Sequence, residues 1–401
     1  MNTPNRDFRV FWLAQATSRF GDPITLIALA TVSYQLTNSA LFTALAVVIA
    51  TVPTAVFGFF VGAVGDALGH RRALLFSDIA RVFLVGAIPI ALSAGAPLVT
   101  AYVLVFFAAI FTAVFNPARM AIVPQLVSAD RLGSANSAIA STDRVVEILG
   151  AVVAGFLVAS IGAAAFYVDA ATFAVSAGLI SAIQDRSPGS GRLALGSLLR
   201  DAWEGLRFIF DSPVLRPNTL FSLATQLAAP VSNGLTPVFL VRRFANGDPA
   251  FGAALFGVAE AAVAAGAVTA GLTLPEYFGR FKKGHLLVAG FAGYGALLIL
   301  LAMAPSLLPA LVLFFFIGVV NVVYFVPNIT ISQEVTPPGL RARVFGARIA
   351  LLNLSWLPII VVSGTLADRI DVEWLFAAAG AVTLATALFA ARFVPAVSEV
   401  A

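Results

Sequence analysis

Apolar residues run through this chain in long blocks, without the alternation of a strand or the one-sided stripe of a soluble helix. Twelve blocks stand out: 10–36, 41–64, 73–95, 98–117, 136–160, 164–184, 217–241, 251–275, 284–304, 307–331, 343–367 and 373–394. Each has 20 or more residues, and a helix rising ~1.5 Å per residue then covers the ~30 Å of bilayer hydrocarbon. Strands of a membrane barrel need only ~9–11 residues in strict alternation, which these blocks lack. The pattern predicts an all-α membrane protein with twelve transmembrane helices. The first block exceeds the ~7–15-residue apolar core of a secretory signal and ends without a small-residue cleavage site, so it counts as a span.

Between the sixth and seventh blocks the pattern changes. Leu195, Leu198, Leu199, Leu206 and Phe208-Ile209-Phe210 interleave with Arg200, Asp201, Glu204 and Arg207 at helical spacing, with Trp203 among them. This predicts an amphipathic helix on the membrane surface, within a 185–216 connector. The chain also echoes itself on either side. Arg71-Arg72 recurs as Lys282-Lys283 at an offset of 211, Phe115 and Pro117 recur as Phe325 and Pro327 at 210, and Gln125-Leu126-Val127 answers Gln333-Glu334-Val335 at 208. The offsets predict an N-terminal six-helix bundle over 1–184 and a C-terminal one over 217–401. Because six is even, both insert with the same orientation.

Composition narrows the class. The 401 residues are 60% hydrophobic and 11% charged, whereas a soluble domain runs at roughly 45–50% and about 25%. Cysteine is absent and the histidines are His70 and His285, which removes disulfides, thiolate nucleophiles and imidazole metal clusters; no metal or cofactor is expected. The placement of the basic residues explains the net charge of +4. The even-numbered ends of the spans, meaning the termini and connections 2–3, 4–5, 6–7, 8–9 and 10–11, carry twenty of the 24 lysines and arginines; the odd-numbered ends carry Arg242, Arg243 and Arg369, and Arg19 lies inside the first block. By the positive-inside rule both termini and the connector face the cytoplasm, in a multi-pass protein of the cell (plasma or inner) membrane. The basic excess is orientation chemistry, and no nucleic-acid partner is expected.

Residues 62–72 read Gly62-Ala63-Val64-Gly65-Asp66-Ala67-Leu68-Gly69-His70-Arg71-Arg72. Gly62, Gly65 and Gly69 permit close backbone approach around a tight turn, and Asp66 at a helix boundary seeks a cation, for which Arg119 at the end of the fourth span is suited. A pair of that kind is either a latch that opens and closes or a fixed element of topology. The pattern resembles the loop 2–3 signature of the major facilitator superfamily, G-x-x-x-D-x-x-G-x-R-R. Asn116-Pro117-Ala118-Arg119, Val123-Pro124-Gln125-Leu126-Val127, Glu204-Gly205-Leu206-Arg207-Phe208 and Pro213-Val214-Leu215-Arg216 are similar to the superfamily's enterobactin-exporter and macrolide-efflux branch. Gly150-Ala151-Val152-Val153-Ala154-Gly155 is similar to the Gly-Pro motif of its drug–proton antiporters, with Ala151 in the proline's place; the small residues also suit plain helix packing. The resemblance implies the superfamily's two-bundle fold and alternating access, with Gly62, Gly65, Asp66, Gly69, Arg71, Arg72 and Arg119 as gating residues.

An ionisable side chain near mid-bilayer costs about 2.5–3.5 kcal/mol on insertion scales, so each needs a partner, water or a proton. Gln15, Arg19, Asp22 and Thr25 share one face of the first span. Arg19 and Asp22 are either a permanent salt bridge or a pair that opens and lets Asp22 take a proton. Asp143 and Glu147, one turn apart, suit a proton relay or a gate network with Asp78, Arg81 and Arg119. Glu260 has no basic residue on its own helix, so it is protonated or faces water. Asp169 is read as structural. Asp22, Asp143, Glu147 and Glu260 are thus the candidate proton carriers, and Gln15, Arg19, Gln226, Asn321, Tyr324, Asn353 and the mid-span Trp356 the candidate substrate contacts.

A GxxxxGK[ST] phosphate loop, a catalytic triad and metal-ligand spacing are all missing from the sequence, so the chain is expected to be neither an enzyme nor an ATP-driven pump. The reading is a secondary transporter, monomeric in the lipid bilayer, exporting hydrophobic or amphipathic small molecules such as drugs, macrolides or siderophore-like compounds in exchange for protons. An importer or uniporter, or a non-transporting receptor or scaffold, are the alternatives.

Overall fold

The computed structural model describes residues 6–50, 53, 68–128, 131–184, 195–225, 228–274, 280–337 and 340–394. Among them every regular element is helical. The first six helices are α1 (Arg6–Thr37), α2 (Ala40–Ala50), α3 (His70–Ser93), α4 (Leu98–Leu126), α5 (Leu132–Ile161) and α6 (Ala165–Ser181). The connector contributes α7 (Leu195–Asp211). There follow α8 (Leu215–Thr225), α9 (Ala228–Arg243), α10 (Pro249–Thr273), α11 (Lys283–Ala302), α12 (Leu307–Val335), α13 (Arg341–Leu354), α14 (Trp356–Ala367) and α15 (Val372–Phe393). Eight stretches of the described chain are long and apolar enough to cross a bilayer.

One departure from the sequence pattern has a local cause. The block 343–367 folds as α13 and α14, broken at Ser355. Pro358 lacks the N–H that would bond the Leu354 carbonyl in a continuous helix, and the Ser355 hydroxyl instead donates to the Leu352 carbonyl at 2.6 Å.

The chain forms two compact units. The first comprises 1–38, 49–195 and 249–257; the second comprises 39–48, 196–248 and 258–401. In the first, α1 packs on α5 and α6, and α3 on α4 and α6, around Phe8, Phe11, Phe115, Ile122, Ile139 and Ile180. Gly69 opens α3 at φ +85°, a conformation that side chains with a Cβ disfavour. The head of α10 joins this unit by glycine contact: a Cβ on Gly155 of α5 would meet the backbone of Ala253 and Gly257, and one on Gly257 the backbone of Ala151 and Gly155. The small-residue run in span 5 is therefore used for close helix approach.

In the second unit α11 packs on α12 and α15, with Phe221, Phe291 and Tyr324 in ring contact. The head of α2 belongs here. The Ala40 N–H and the Ser39 hydroxyl both donate to the Asp368 carboxylate at 2.6 Å, so an anion caps the N-terminus of α2. Arg242 steadies that carboxylate at 3.8 Å and donates to the Ala367 carbonyl at 2.6 Å. The amphipathic α7 docks in the same unit: Gly205 lies against the Arg343 carbonyl, Ile209 joins a cluster with Leu215, Val344 and Ala347, and Arg343 donates to Glu204 at 2.7 Å. Trp203 stays 69% exposed on its other side, as an amphipathic surface helix requires.

Candidate functional site

Helical spacing assembles the polar centre of the first unit. Residues three and four apart share a face, so α1 presents Gln15, Ser18, Arg19, Asp22 and Thr25 together, α3 presents Asp78 with Arg81, and α6 presents Asp169, Thr172, Phe173 and Ser176. The crossings bring these faces into one continuous chain of opposite charges.

Arg119 on α4 stands at one end, holding both Asp143 oxygens at 3.0 Å and the Gln15 amide oxygen at 2.6 Å. Asp143 reaches Arg19 at 4.0 Å, Arg19 reaches Asp22 at 3.4 Å, and Asp22 reaches Arg81 at 3.8 Å. Arg81 ends the chain on Asp78. Three guanidinium groups thus alternate with three carboxylates. Arg81 is buried, its guanidinium 4.1 Å from the Phe173 ring centroid and 4.7 Å from that of Phe115, an arrangement that favours arginine over lysine. It donates further to Ser18 at 3.3 Å and Thr112 at 3.4 Å. Asp78, also buried, accepts from Ser176 at 2.6 Å. Asp22, inside the chain between Arg19 and Arg81, keeps 29% of its side chain exposed.

Asp169 lies outside that chain. It is fully buried and accepts from the Thr25 hydroxyl across the α1–α6 contact. Among the described residues no cation stands within 4.0 Å of it.

The second unit has a polar centre of another kind. Arg348 on α13 is buried. It donates to Asn218 and to Ser222 (3.1 Å) on α8, and to the Asn328 amide oxygen (2.6 Å) and Ser332 on α12. Every one of these acceptors is neutral. Nearby on α12, Tyr324 donates to Asn321 at 2.9 Å and stacks on Phe291 with centroids 4.2 Å apart, while Tyr294 and Ser232 share a hydrogen bond of 2.6 Å.

The residues singled out from sequence distribute as follows. Gln15, Arg19, Asp22, Asp143 and Arg119 come together in the charge chain. Glu147 is exposed on α5 and Glu260 half-buried on α10. Asn321 and Tyr324 bond each other; Asn353 donates to the Ile349 carbonyl of its own helix at 2.9 Å; the Trp356 indole N–H is buried with no acceptor among the described residues. Gln226, Gly62, Gly65 and Asp66 lie outside the described residues. Of the rest of that loop, Gly69 makes the turn, Arg72 is exposed, and Arg71 donates to the Ile180 and Ser181 carbonyls at 3.3 and 2.6 Å, closing the end of α6. Two residues were undervalued. Arg348 counts in the sequence as one more basic residue, yet two (i, i+4) polar pairs, Asn218/Ser222 and Asn328/Ser332, were available to receive it. The reading of Asp169 as structural takes no account of Thr25 and Thr172, whose hydroxyls lie against its carboxyl.

The chain matches a family model described as Major Facilitator Superfamily over residues 11–360. It is 27% identical over 388 residues to the multidrug efflux pump Tap of Mycolicibacterium fortuitum, covering 94% of this chain and 93% of the relative. It is 24% identical over 377 residues to the uncharacterized MFS-type transporter YfiS of Bacillus subtilis (strain 168), covering 92% and 88%. Among solved structures, the nucleoside transporter NupG superposes with a TM-score of 0.79 at 12% identity, covering 97% of this chain and 100% of that one. A D-xylose–proton symporter superposes at 0.70 and 14%, covering 97% and 98%. The chain belongs to the Major Facilitator Superfamily: it is a multi-pass membrane transporter of small molecules and not an enzyme.

Proposed function

We propose that this member of the Major Facilitator Superfamily exports hydrophobic or amphipathic small molecules in exchange for protons, with both termini cytoplasmic and two six-helix bundles, 1–184 and 217–401, as its working halves. The observation that carries the proposal is the charge chain from Arg119 to Asp78 inside apolar helices. A permanent scaffold has no use for six ionised groups in lipid, each with its desolvation cost. A proton-driven cycle does. Protonating a carboxylate frees the cation it held, so the remaining pairs must be redealt. Asp22 is the natural point of entry, being shared by Arg19 and Arg81 and partly open. Asp143, with Glu147 one turn away, is the second, and Glu260 the carrier on the C-terminal side. The likeness to an efflux pump over nearly the whole chain supports the outward direction, and the gating role of residues 62–72 rests on the loop signature.

The test is flux of a lipophilic cationic dye in proteoliposomes under an imposed pH gradient. Dye movement against the proton flow, abolished in Asp22→Asn while the purified variant stays monodisperse, is the expected result. Dye moving with the protons identifies an importer, and gradient-independent flux a uniporter. No flux of any dye under any gradient leaves the receptor reading standing.

A further inference from the structure

The structure leaves one fully buried carboxylic acid of the first unit, Asp169, outside the charge chain. Arg19, Arg81 and Arg119 are matched by Asp22, Asp78 and Asp143 in the charge chain. Asp169 is not part of that chain, and among the described residues no cation stands within 4.0 Å of it. It sits on α6, fully buried, where an ionised carboxylate with neither water nor a counter-ion is strongly disfavoured.

Hydrogen accounting around its two oxygens points the same way. Oδ2 accepts from Thr25. The Thr172 hydroxyl has one hydrogen and two neighbours, the carbonyl of Asp169 at 2.7 Å and Asp169 Oδ1 at 3.2 Å. A helical threonine commonly donates to the carbonyl three or four residues back, and the carbonyl is the nearer acceptor. Thr172 then turns a lone pair toward Oδ1. Two oxygen lone pairs in contact repel, whereas a hydrogen on Oδ1 makes the same contact a bond, because a protonated carboxyl donates where a carboxylate cannot.

We infer that Asp169 is a proton-binding site of the transport cycle, holding its proton between Thr25 of α1 and Thr172 of α6. The inference rests on the proton-coupled reading above and adds a carrier that reading did not include. Gly21 gives the site its seal: a Cβ there would strike Asp169 Oδ1 and the Thr172 hydroxyl, so the two helices touch at the carboxyl and exclude water. Asp22 follows Gly21 in the chain, and Thr25 lies one turn further along α1. Any tilt of α1 away from α6 therefore opens the Asp169 carboxyl on the side where Asp22 is already exposed. Proton release breaks the O–H bond at Oδ1, passes the proton to water or to the Asp22 carboxylate, and leaves a negative charge on Asp169. The charged groups acting on that site are Asp22 from α1 and Arg81 from α3, with Arg19 and Asp78 next along those helices and Asp143 of α5 beyond Arg19. A new anion there competes with Asp22 and Asp78 for Arg81, so a proton leaving Asp169 disturbs the whole charge chain.

Infrared spectroscopy of the purified protein at neutral pH tests proton occupancy without any transport. Wild type should show the carbonyl stretch of a protonated carboxylic acid that Asp169→Asn lacks. Thr25→Val, which removes the donor to Oδ2 and changes no charge, should shift that band's frequency. In proteoliposomes, Asp169→Asn should lose gradient-driven dye accumulation while keeping dye exchange at zero gradient. The inference is overturned by an absent band, by a band indifferent to Thr25→Val, by undiminished gradient drive in Asp169→Asn, or by loss of exchange together with drive in that variant, which marks a structural role. Should Asp169→Asn fail to fold, the wild-type band and its response to Thr25→Val still decide. If wild type shows no gradient dependence at all, it is the proton-coupled reading that fails, and the infrared result separately reports whether Asp169 carries a proton.

Discussion

The two units solve one packing problem with different chemistry. Each ties together three helices: α1, α4 and α5 in the first unit, and α8, α12 and α13 in the second. Each uses a buried arginine to do so. In the first unit Arg119 binds the Gln15 amide oxygen and the Asp143 carboxylate. In the second Arg348 binds Asn218, Ser222, Asn328 and Ser332, all neutral. The first tie has a carboxylate acceptor, and a carboxylate that gains a proton loses the charge that holds the guanidinium. The second has no such acceptor, because amides and serine hydroxyls do not bind protons at any physiological pH. On the proposed proton-coupled reading, the difference would put proton-sensitive rearrangement in the first unit and a fixed polar anchor in the second.

The most severe way to break the comparison is at the Arg81–Asp78 pair. Removing one member of a buried pair leaves an uncompensated charge, at a cost of about 3–5 kcal/mol. Arg81→Met should therefore lower the melting temperature of the detergent-purified protein more than any other single change to either centre. Arg81→Met with Asp78→Leu should recover most of the loss, since an apolar pair of similar volume has no charge to desolvate. A single variant that melts like wild type would mean that Arg81 is already served by water.

How much of this was legible in the sequence depends on the range of each contact. Arg19 and Asp22 were readable as a pair because three residues of helix bring them together. The apolar spans and the amphipathic α7 follow from composition and period alone. The joining of Asp22 to Arg81, 59 residues away, depends on how α1 crosses α3, which no local pattern encodes. Arg348 stayed hidden for a related reason: positioned seven residues into α13, it reads as one of many basic residues at a span end, and its acceptors come from two other helices. Asp169 was underrated because its threonines are unremarkable in an apolar helix. It is the crossing of α1 and α6 that brings Thr25 onto the Asp169 carboxyl, and no local pattern encodes that crossing.

A milder change converts the first tie into the second. Asp143→Asn keeps an acceptor for Arg119 but removes the charge, so the unit should respond as though it had acquired an Arg348-like centre. A hydrogen bond to a charged group contributes about 1.5–3 kcal/mol, and Asp143 retains 22% exposure, so about 1–2 kcal/mol is the expected loss after screening. The check is thermal melting of the two purified proteins side by side; an unchanged melting temperature would show that the charge of Asp143 adds nothing to the tie.

The smallest effect is expected from the reverse conversion, Asn328→Asp, which supplies Arg348 with the carboxylate it lacks. The geometry accepts the change. The Asn328 oxygen is already 2.6 Å from Arg348 Nη2, and the new oxygen replaces a nitrogen that donates to Ser222 at 3.2 Å. Ser222 must then donate where it formerly accepted, and among the described residues its hydroxyl hydrogen is not committed to another acceptor. Two large terms oppose each other. Burying a carboxylate costs several kcal/mol, while the buried guanidinium, whose desolvation is already spent, gains a charged partner at close range. The net change should lie within about 1 kcal/mol of zero, and melting should move little. Coupling is where the change becomes visible: Arg348→Met should cost more in the Asn328→Asp background than in wild type, because it now strands a buried anion, and a double-mutant cycle reads that difference directly. A loss for Asn328→Asp alone as large as that of Arg81→Met would mean that Arg348 is not a lone cation, and the contrast between the two units would not stand.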